Sequence, residues 1–381
     1  MEGFYFDIDY IQSPKVLDGP CGDVISYYRK EKETVIIFAD GLGSGIKANI
    51  NANFCVSRIK QLLLDGVSPQ KTFFNVVQTM EKTKKTTNTY AAFMIIKVRV
   101  DGVLTVLNYE MPDILFITTN HLEKLTGKAI IPTVPTAKET IINLKDSEGI
   151  IAVCDGIVEA GLGELYLKGW GIDGLEAYAS HCYAMGYRKH KLISEIHKKA
   201  LDISGSNYRD DCSVLKLCCR KSNVLNILTG PPRNKLNDYS IMSLFSELDG
   251  TKIISGGKTA EIYATKLNLE ISYERLVKDE LSPPLSNIDG IDLVTEGAIT
   301  LNQVYRLCDD DSFYDPTSAI GRMCEQLREA DLIRIYLGVS NDLSKNNVTF
   351  KQQGLLPREN IIKLLANKLT EMGKIVVIKD V

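Results

Sequence analysis

The side chains best suited to chemistry are acids placed at the ends of apolar runs. Val35, Ile36, Ile37, Phe38 and Ala39 are rich in β-branched residues and too few for a stable helix, so they read as a buried strand ending at Asp40. Asp40-Gly41 opens a turn dense in glycine (Gly41, Gly43, Gly45), and a helical pattern follows from Ile46. A carboxylate at the end of a rigid strand, followed by backbone without side chains, suits a metal ion or a phosphate better than it suits packing. Asp155-Gly156 repeats the arrangement after Ile150, Ile151, Ala152, Val153 and Cys154. The other Asp-Gly pairs, at Asp18, Asp65, Asp101, Asp173, Asp249 and Asp289, read as turns. Asp101-Gly102 has strand-like sequence on both sides and reads as a hairpin.

A third acidic position is Asp210-Asp211, in the polar loop 206–211 directly before the apolar run 212–219. Adjacent carboxylates repel each other, which calls for solvation or a bound cation. A fourth is Asp23, which opens the strand-like run 24–29; Glu31-Lys32-Glu33 then turns the chain back into the strand of Asp40. Neighbouring strands of a meander bring Asp23 and Asp40 to one sheet end, with the register left open.

The elements that must position these acids follow from the periodicity. Residues 4–10 read as a first strand. Ile50, Phe54, Ile59, Leu62 and Leu63 mark a helix over 46–64, stopped by Asp65-Gly66. A second helix starts at Pro69 and runs to Lys82, and the polar stretch 82–88 reads as an exposed loop. Strand-like runs at 90–100, 103–109, 114–118 and 139–144 precede the strand at Ile150, with the spacing of an antiparallel meander. A glycine-rich loop, helices over 175–185 and 189–203, and the strand 212–219 complete this part.

Composition bounds the rest. A chain of 381 residues, 44% hydrophobic and 24% charged, is globular and longer than one ordinary core. A net charge of −3 gives no electrostatic ground for nucleic acid or an anionic membrane as a bulk partner. No apolar run is long enough for a membrane span, and the first residues lack a signal-peptide pattern, so a cytoplasmic location is expected. Nine scattered cysteines without a CxxC spacing argue against structural zinc and a disulfide framework. His190 and His197 share a helix face and read as solvated.

Gly22-Asp23, FADGLGSGIKA (38–48), NYEMPDILFI (108–117), IAVCDGIVEA (151–160) and RDDCSVLKL (209–217) follow one another as in a known family. Over residues 1–220 the chain resembles the metal-dependent protein phosphatases (the PPM family), in the branch of sporulation stage II protein E. The resemblance implies an α+β fold, a four-layer α-β-β-α sandwich, with two divalent metal ions, Mn²⁺ or Mg²⁺, at one end. Carried over by position, Asp40 bridges the ions and the Gly41 carbonyl contacts one, directly or through water. Asp155 and Asp210 complete one ion's shell, Asp23 helps hold the other, and Asp211 stands behind them. Leu42 follows Gly41 where more distant branches have histidine, and no phosphate-binding arginine is matched, in agreement with the sporulation-type branch. NYEMPD departs from the family's usual small Gly-His-Pro-like stretch. The implied activity is hydrolysis of a phosphoserine or phosphothreonine ester of a protein, by a hydroxide that two metal ions activate, in a bacterial signalling pathway. The residue types suit it: hard divalent cations prefer oxygen ligands, and a pair of them neutralises four carboxylates.

Beyond Arg220-Lys221-Ser222 the texture changes, and residues 222–381 read as a second domain. Strand-like runs (224–228, 252–254, 291–294, 332–337, 374–378) alternate with helical ones (239–248, 259–267, 301–307, 318–329, 358–372), which implies a smaller α/β domain with a mainly parallel sheet. Pro283-Pro284 and Asp309-Asp310-Asp311 mark surface loops. Strands end at Thr229-Gly230-Pro231, Ser255-Gly256-Gly257-Lys258-Thr259 and Thr295-Glu296-Gly297. Carboxyl ends of parallel strands are where such sheets bind ligands, so Gly256, Gly257, Lys258 and Thr259 are a candidate anion or small-molecule site, against the reading of ordinary turns. A P-loop is excluded, because the motif needs glycine where Lys252 stands. The expectation is a phosphatase regulated by a ligand- or partner-binding second domain. Two alternatives stay open: a phosphatase-fold scaffold acting by contact, and a metabolite-binding module whose second domain is the principal part.

Overall fold

Residues 35–39 are apolar at every position because both faces of their strand are covered. In the computed structural model, which describes residues 3–86, 90–205, 209–273, 286–310, 315–338 and 354–381, the side chains of this strand alternate between two cores. Ile36 and Phe38 join the core between two sheets, whereas Val35, Ile37 and Ala39 join a core with helical residues such as Ala52, Val56 and Ile59. Pro283, Pro284, Asp311 and residues 206–208 of the acidic loop lie outside the described residues.

The chain divides into two compact units, the first being Gly3–Lys221. One of its sheets runs, neighbour by neighbour, β2 (Asp23–Lys30), β3 (Glu33–Gly41), β4 (Ala91–Arg99), β5 (Val103–Tyr109), β9 (Ala137–Asn143) and β8 (Lys128–Ala129). The other runs β1 (Phe4–Ser13), β11 (Cys212–Lys221), β10 (Gly149–Val153), β6 (Ile114–Ile117) and β7 (Leu122–Leu125). All of these pairings are antiparallel. Helices α1 (Gly45–Leu64) and α2 (Pro69–Thr86) cover the first sheet, and α4 (Gly171–Ala184) and α5 (Lys189–Ile203) cover the second. Between β10 and α4 lies a single helical turn, α3 (Asp155–Val158). The result is the four-layer α-β-β-α sandwich.

Several elements differ from the sequence reading. The stretch expected to loop from Lys82 continues α2 to Thr86; Lys84 there pairs with Glu110 at 2.7 Å and lies 4.7 Å from the Tyr90 ring centroid, contacts that apolar periodicity does not register. α4 starts at Gly171, and the residues after Asp155 form a helical turn before any loop. His197 is buried, in the stripe of Leu192, Ile193, Ile196 and Ala200, and that burial lowers its pKa; His190, on the same helix, is exposed and bonded to Asp9 at 2.9 Å.

The second unit, Ser222–Val381, is built on one seven-stranded sheet. Five parallel strands lie in the order β16 (Leu293–Thr295), β13 (Thr251–Ser255), β12 (Val224–Thr229), β17 (Leu332–Leu337) and β18 (Ile375–Asp380). Two short antiparallel strands, β15 (Ser286–Ile288) and β14 (Ile271–Tyr273), extend the β16 edge and had no signal in the sequence. Helices α6 (Asp238–Ser246) and α7 (Gly257–Leu267) pack on one face, around Phe245, Tyr263 and Tyr336. Helices α8 (Ala298–Leu307), α9 (Ala319–Glu329) and α10 (Arg358–Glu371) pack on the other, around Leu301, Met323 and Ile362. Among the described residues, no helix is long and apolar enough to cross a membrane.

Candidate metal centre

Strand register brings the acids together. In the antiparallel pair of β2 and β3, Asp23 and Asp40 are directly opposed, the first residue of one strand facing the penultimate residue of the other. β10 and β11 are likewise antiparallel, with Val153 opposite Val214, so Asp155 just after β10 and Asp210 just before β11 emerge at one end of the second sheet. Asp40 is in electrostatic reach of Asp23, Asp155 and Asp210, and its carboxyl contacts that of Asp155. The four sequence candidates therefore meet where the two sheets end.

Their charges are unbalanced as they stand. Asp23 is buried, and burial pushes its carboxyl up to about 7, with Asp211 and Asp155 adding to the rise. The hydrogen bond from Ser213, and the Cys154 thiol nearby, oppose that shift. Asp40 is raised well above its ordinary value by burial, then by the charges of Asp23 and Asp155. Asp210 is raised by burial and by Asp155, against the N–H of Asp211 and the charge of Lys15. A cluster of carboxylates held partly out of water in this way favours either protons or cations.

The donor set fits hard divalent cations. Asp23 Oδ2 accepts a bond from Ser213 Oγ at 2.6 Å, while its buried Oδ1 has no protein partner, an acceptor left for an ion or its water. Cys154 Sγ lies within 4.8 Å of a carboxylate oxygen of Asp23 and of one of Asp40, but its sulfur accepts from Ser213 N–H at 3.0 Å and donates to the Asp211 carbonyl at 3.3 Å. Burial keeps that thiol protonated, and oxygen is the ligand such ions prefer, so Cys154 lines the centre and does not ligate.

Asp211 acts differently from its neighbour. Its two oxygens accept the N–H groups of Lys15 at 2.8 Å and Gly22 at 2.9 Å, which ties loop 14–22 to the start of β11. It thereby sets the position of Asp23 next door, a role behind the ligands. Gly22 faces this carboxylate: a Cβ there would lie 2.6 Å from Asp211 Oδ2. At Gly41 a Cβ would lie 2.0 Å from the Ala48 carbonyl oxygen, so only glycine lets the first turns of α1 close against the end of β3. Asn49 fixes that helix further by donating to the Cys21 carbonyl at 2.7 Å.

Sequence reasoning missed four contributors. Ser213, Cys154 and Gln12 surround Asp23, Gln12 donating to Ser213 Oγ at 3.1 Å and to the Asp23 carbonyl at 3.2 Å. Glu159, one turn beyond Asp155, has its carboxyl raised by burial and by Asp155 and Asp210. None carries a local signal, since each matters through residues distant in the chain. Asn108, in the block 108–117, makes a turn: its side chain donates to the carbonyls of Met111 and Pro112 and accepts the Met111 N–H at 3.0 Å. The chain crosses there from β5 to β6, from one sheet to the other.

The sequence model of the family described as stage II sporulation protein E (SpoIIE) matches residues 30–220, half of the 381-residue chain, and includes Asp40, Asp155 and Asp210 but not Asp23. The chain belongs to the SpoIIE family. Among solved structures it is similar to the PP2C phosphatase domain of SpoIIE from Bacillus subtilis, solved with a fragment of the regulatory domain, at 13% identity and a TM-score of 0.48. That match covers 58% of this chain and 64% of the other, so the chain spans less than two thirds of that relative. The RsbU and RsbW domains of a Mycobacterium tuberculosis protein align at 13% identity over 69% of this chain and 70% of theirs, with a TM-score of 0.47. The catalytic domain of the serine/threonine phosphatase PstP, in complex with two manganese ions, aligns at 9% identity over 57% of this chain and 100% of its own, with a TM-score of 0.39. No curated protein matches the chain in sequence. In this SpoIIE-family unit the acidic centre falls at strand ends β2, β3, β10 and β11, inside or beside the matched segment.

Proposed function

We propose that the SpoIIE-family unit is a metal-dependent serine/threonine phosphatase acting on a phosphorylated protein in a bacterial signalling pathway. The observation that carries this is the convergence of Asp23, Asp40, Asp155 and Asp210 at one end of two sheets, with a buried Asp23 oxygen left without a partner. Asp23, Asp40, Asp155 and Asp210, with the Gly41 carbonyl beside them, would hold divalent metal ions. Manganese or magnesium bound there supplies neutralising charge and an acidified water as the attacking group.

The protein's own groups do the rest. Ser213 and Gln12 hold Asp23 in one rotamer, so its free oxygen faces the cluster without reorganisation. Cys154 and the packed backbone at Gly22 and Gly41 exclude further water from the floor of the site. Asp155 and Glu159 stand at the open side, where a leaving serine or threonine alkoxide must take up a proton. Exposed apolar side chains adjoin this side: Leu42 follows Gly41 directly, Ile46 lies in the first turn of α1, and Leu162, whose carbonyl accepts from Arg209 at 2.9 Å, sits in a loop with exposed Leu165 and Leu167. Such a rim suits the surface of a protein substrate better than a small polar ester.

The test is hydrolysis of a chromogenic phosphate ester and of a phosphoserine peptide with manganese, by wild type and by Asp40→Asn and Asp210→Asn. Loss in both variants with unchanged circular dichroism is expected; full activity in either removes the reading. Regulation by the second unit is part of the proposal. Equal rates and metal affinities for the full chain and for a chain ending at Lys221 would remove that part alone.

A further inference from the structure

In the second unit, helices α7 and α8 begin next to each other and then diverge to opposite faces of the sheet. They follow the adjacent parallel strands β13 and β16, so both start at the carboxyl edge of the sheet, the edge at which open α/β sheets hold ligands. Each helix is capped by a glycine with positive φ, Gly256 at 136° and Gly297 at 92°, and neither cap supplies a side-chain bond. A Cβ on Gly297 would lie 3.2 Å from Gly256 Cα, so the two caps touch. The first N–H groups of both helices, and the positive ends of both dipoles, are thus gathered in one place. Gly257 and Lys258 are exposed, which opens the first turn of α7 to solvent.

A second observation points to a ligand. The third helical residue of each helix is threonine, and both hydroxyls are buried without a partner: Thr259 is 1% exposed and Thr300 0%. Thr259 Oγ1 faces the cap, 3.1 Å from where a Gly256 Cβ would stand. An unsatisfied buried hydroxyl is destabilising, so that of Thr259, at the cap, asks for an acceptor. Beside α7 lies a cavity of about 110 Å³ lined by Gly257, Ala260, Thr295 and the carboxylates of Glu261 and Glu296. Those carboxylates repel a second anionic group and accept hydrogen bonds from hydroxyls.

We propose that the paired helix starts at Gly256 and Gly297 bind the phosphate of a small organic phosphomonoester. The donors are the first-turn N–H groups of both helices, the hydroxyl of Thr259, and Lys258; hydroxyls of the organic part lie against Glu261 and Glu296. The inference is independent of the chemistry at the acidic centre.

The test is calorimetric titration of the full chain in excess chelator, which leaves the acidic centre without ions and repulsive to phosphate. The probes are inorganic phosphate, glucose 6-phosphate and AMP. One ester molecule per chain is expected to bind, more tightly than inorganic phosphate. Thr259→Val and Lys258→Glu should each weaken it by about ten-fold or more, a lost bond or a reversed charge at the anion. Both variants should keep the wild-type circular dichroism and wild-type hydrolysis of a chromogenic ester with manganese. Thr259→Val should also raise the melting temperature of the ligand-free chain, since it removes an unsatisfied hydroxyl. Equal affinity for inorganic phosphate overturns the ester assignment. Absence of binding by all three probes, or binding indifferent to both variants, overturns the site.

Discussion

Ser213 on β11 donates to Asp23 on β2 at 2.6 Å, a bond that crosses from one sheet to the other at the acidic end of the sandwich. It holds one carboxylate oxygen and leaves the second unpartnered. Ser213→Ala should remove a buried bond to a charged group and cost about 1.5–3 kcal/mol of stability. Because the Ser213 bond lowers the Asp23 pKa, its loss should also raise that pKa and weaken manganese binding. Chemical denaturation and manganese titration of the variant check both.

The metal-free protein should lose stability as pH rises. Folded Asp23 holds its proton up to about 7, whereas its ordinary value is 3.8, so within that window the native state binds more protons than the unfolded chain. Stability is fully present below 3.8 and is lost as pH rises through about 7. Asp40 is shifted in the same direction. Melting curves in chelator across this range should fall with pH, and saturating manganese should flatten the fall by replacing the proton. Melting temperatures that do not change with pH in chelator would contradict the charge state assigned to the cluster.

Asp40→Asn should separate stability from activity. Removing one charge from a repulsive cluster should raise the metal-free melting temperature by about 2–4 °C, a gain near 1 kcal/mol for a domain of this size. The same variant should lower manganese-dependent hydrolysis by about 100-fold or more, because charge stabilisation is lost where it matters most. A variant that is both less stable and fully active would contradict the arrangement.

Gly41→Ala keeps every carboxylate and should still fail. Its methyl would lie 2.0 Å from the Ala48 carbonyl oxygen, so α1 must move away from the end of β3. Overpacking of this kind costs about 1–3 kcal/mol, and the displaced turn should lower the rate without changing the number of acids. Denaturation midpoint and hydrolysis rate, measured together, test this.

The first unit was legible because its core strands report burial directly. Residues 35–39 and 150–154 are apolar throughout, and an acid follows each run, so strand ends and candidate ligands are found together. Short edge elements escaped: β7 and β8 mix charged and apolar residues with no room for alternation, and β14 and β15 are three residues each. α2 was cut at Lys82 because its last turn is held by Lys84, whose partners Glu110 and Tyr90 lie elsewhere in the chain. Ser213 and Cys154 were invisible as site residues for the same reason. A serine in an apolar strand shows its purpose only when a buried carboxylate arrives opposite it.

Gly22 and Gly41 stand where any side chain would meet the Asp211 carboxylate or the backbone of α1. The floor of the acidic centre is therefore written in main chain, and point substitution there damages it without offering a variant shape. Leu42, Ile46, Leu162, Leu165 and Leu167 have no such restriction, since their side chains reach into solvent. Under the proposed activity, divergence at this rim would change which phosphoprotein is bound while the floor stays fixed.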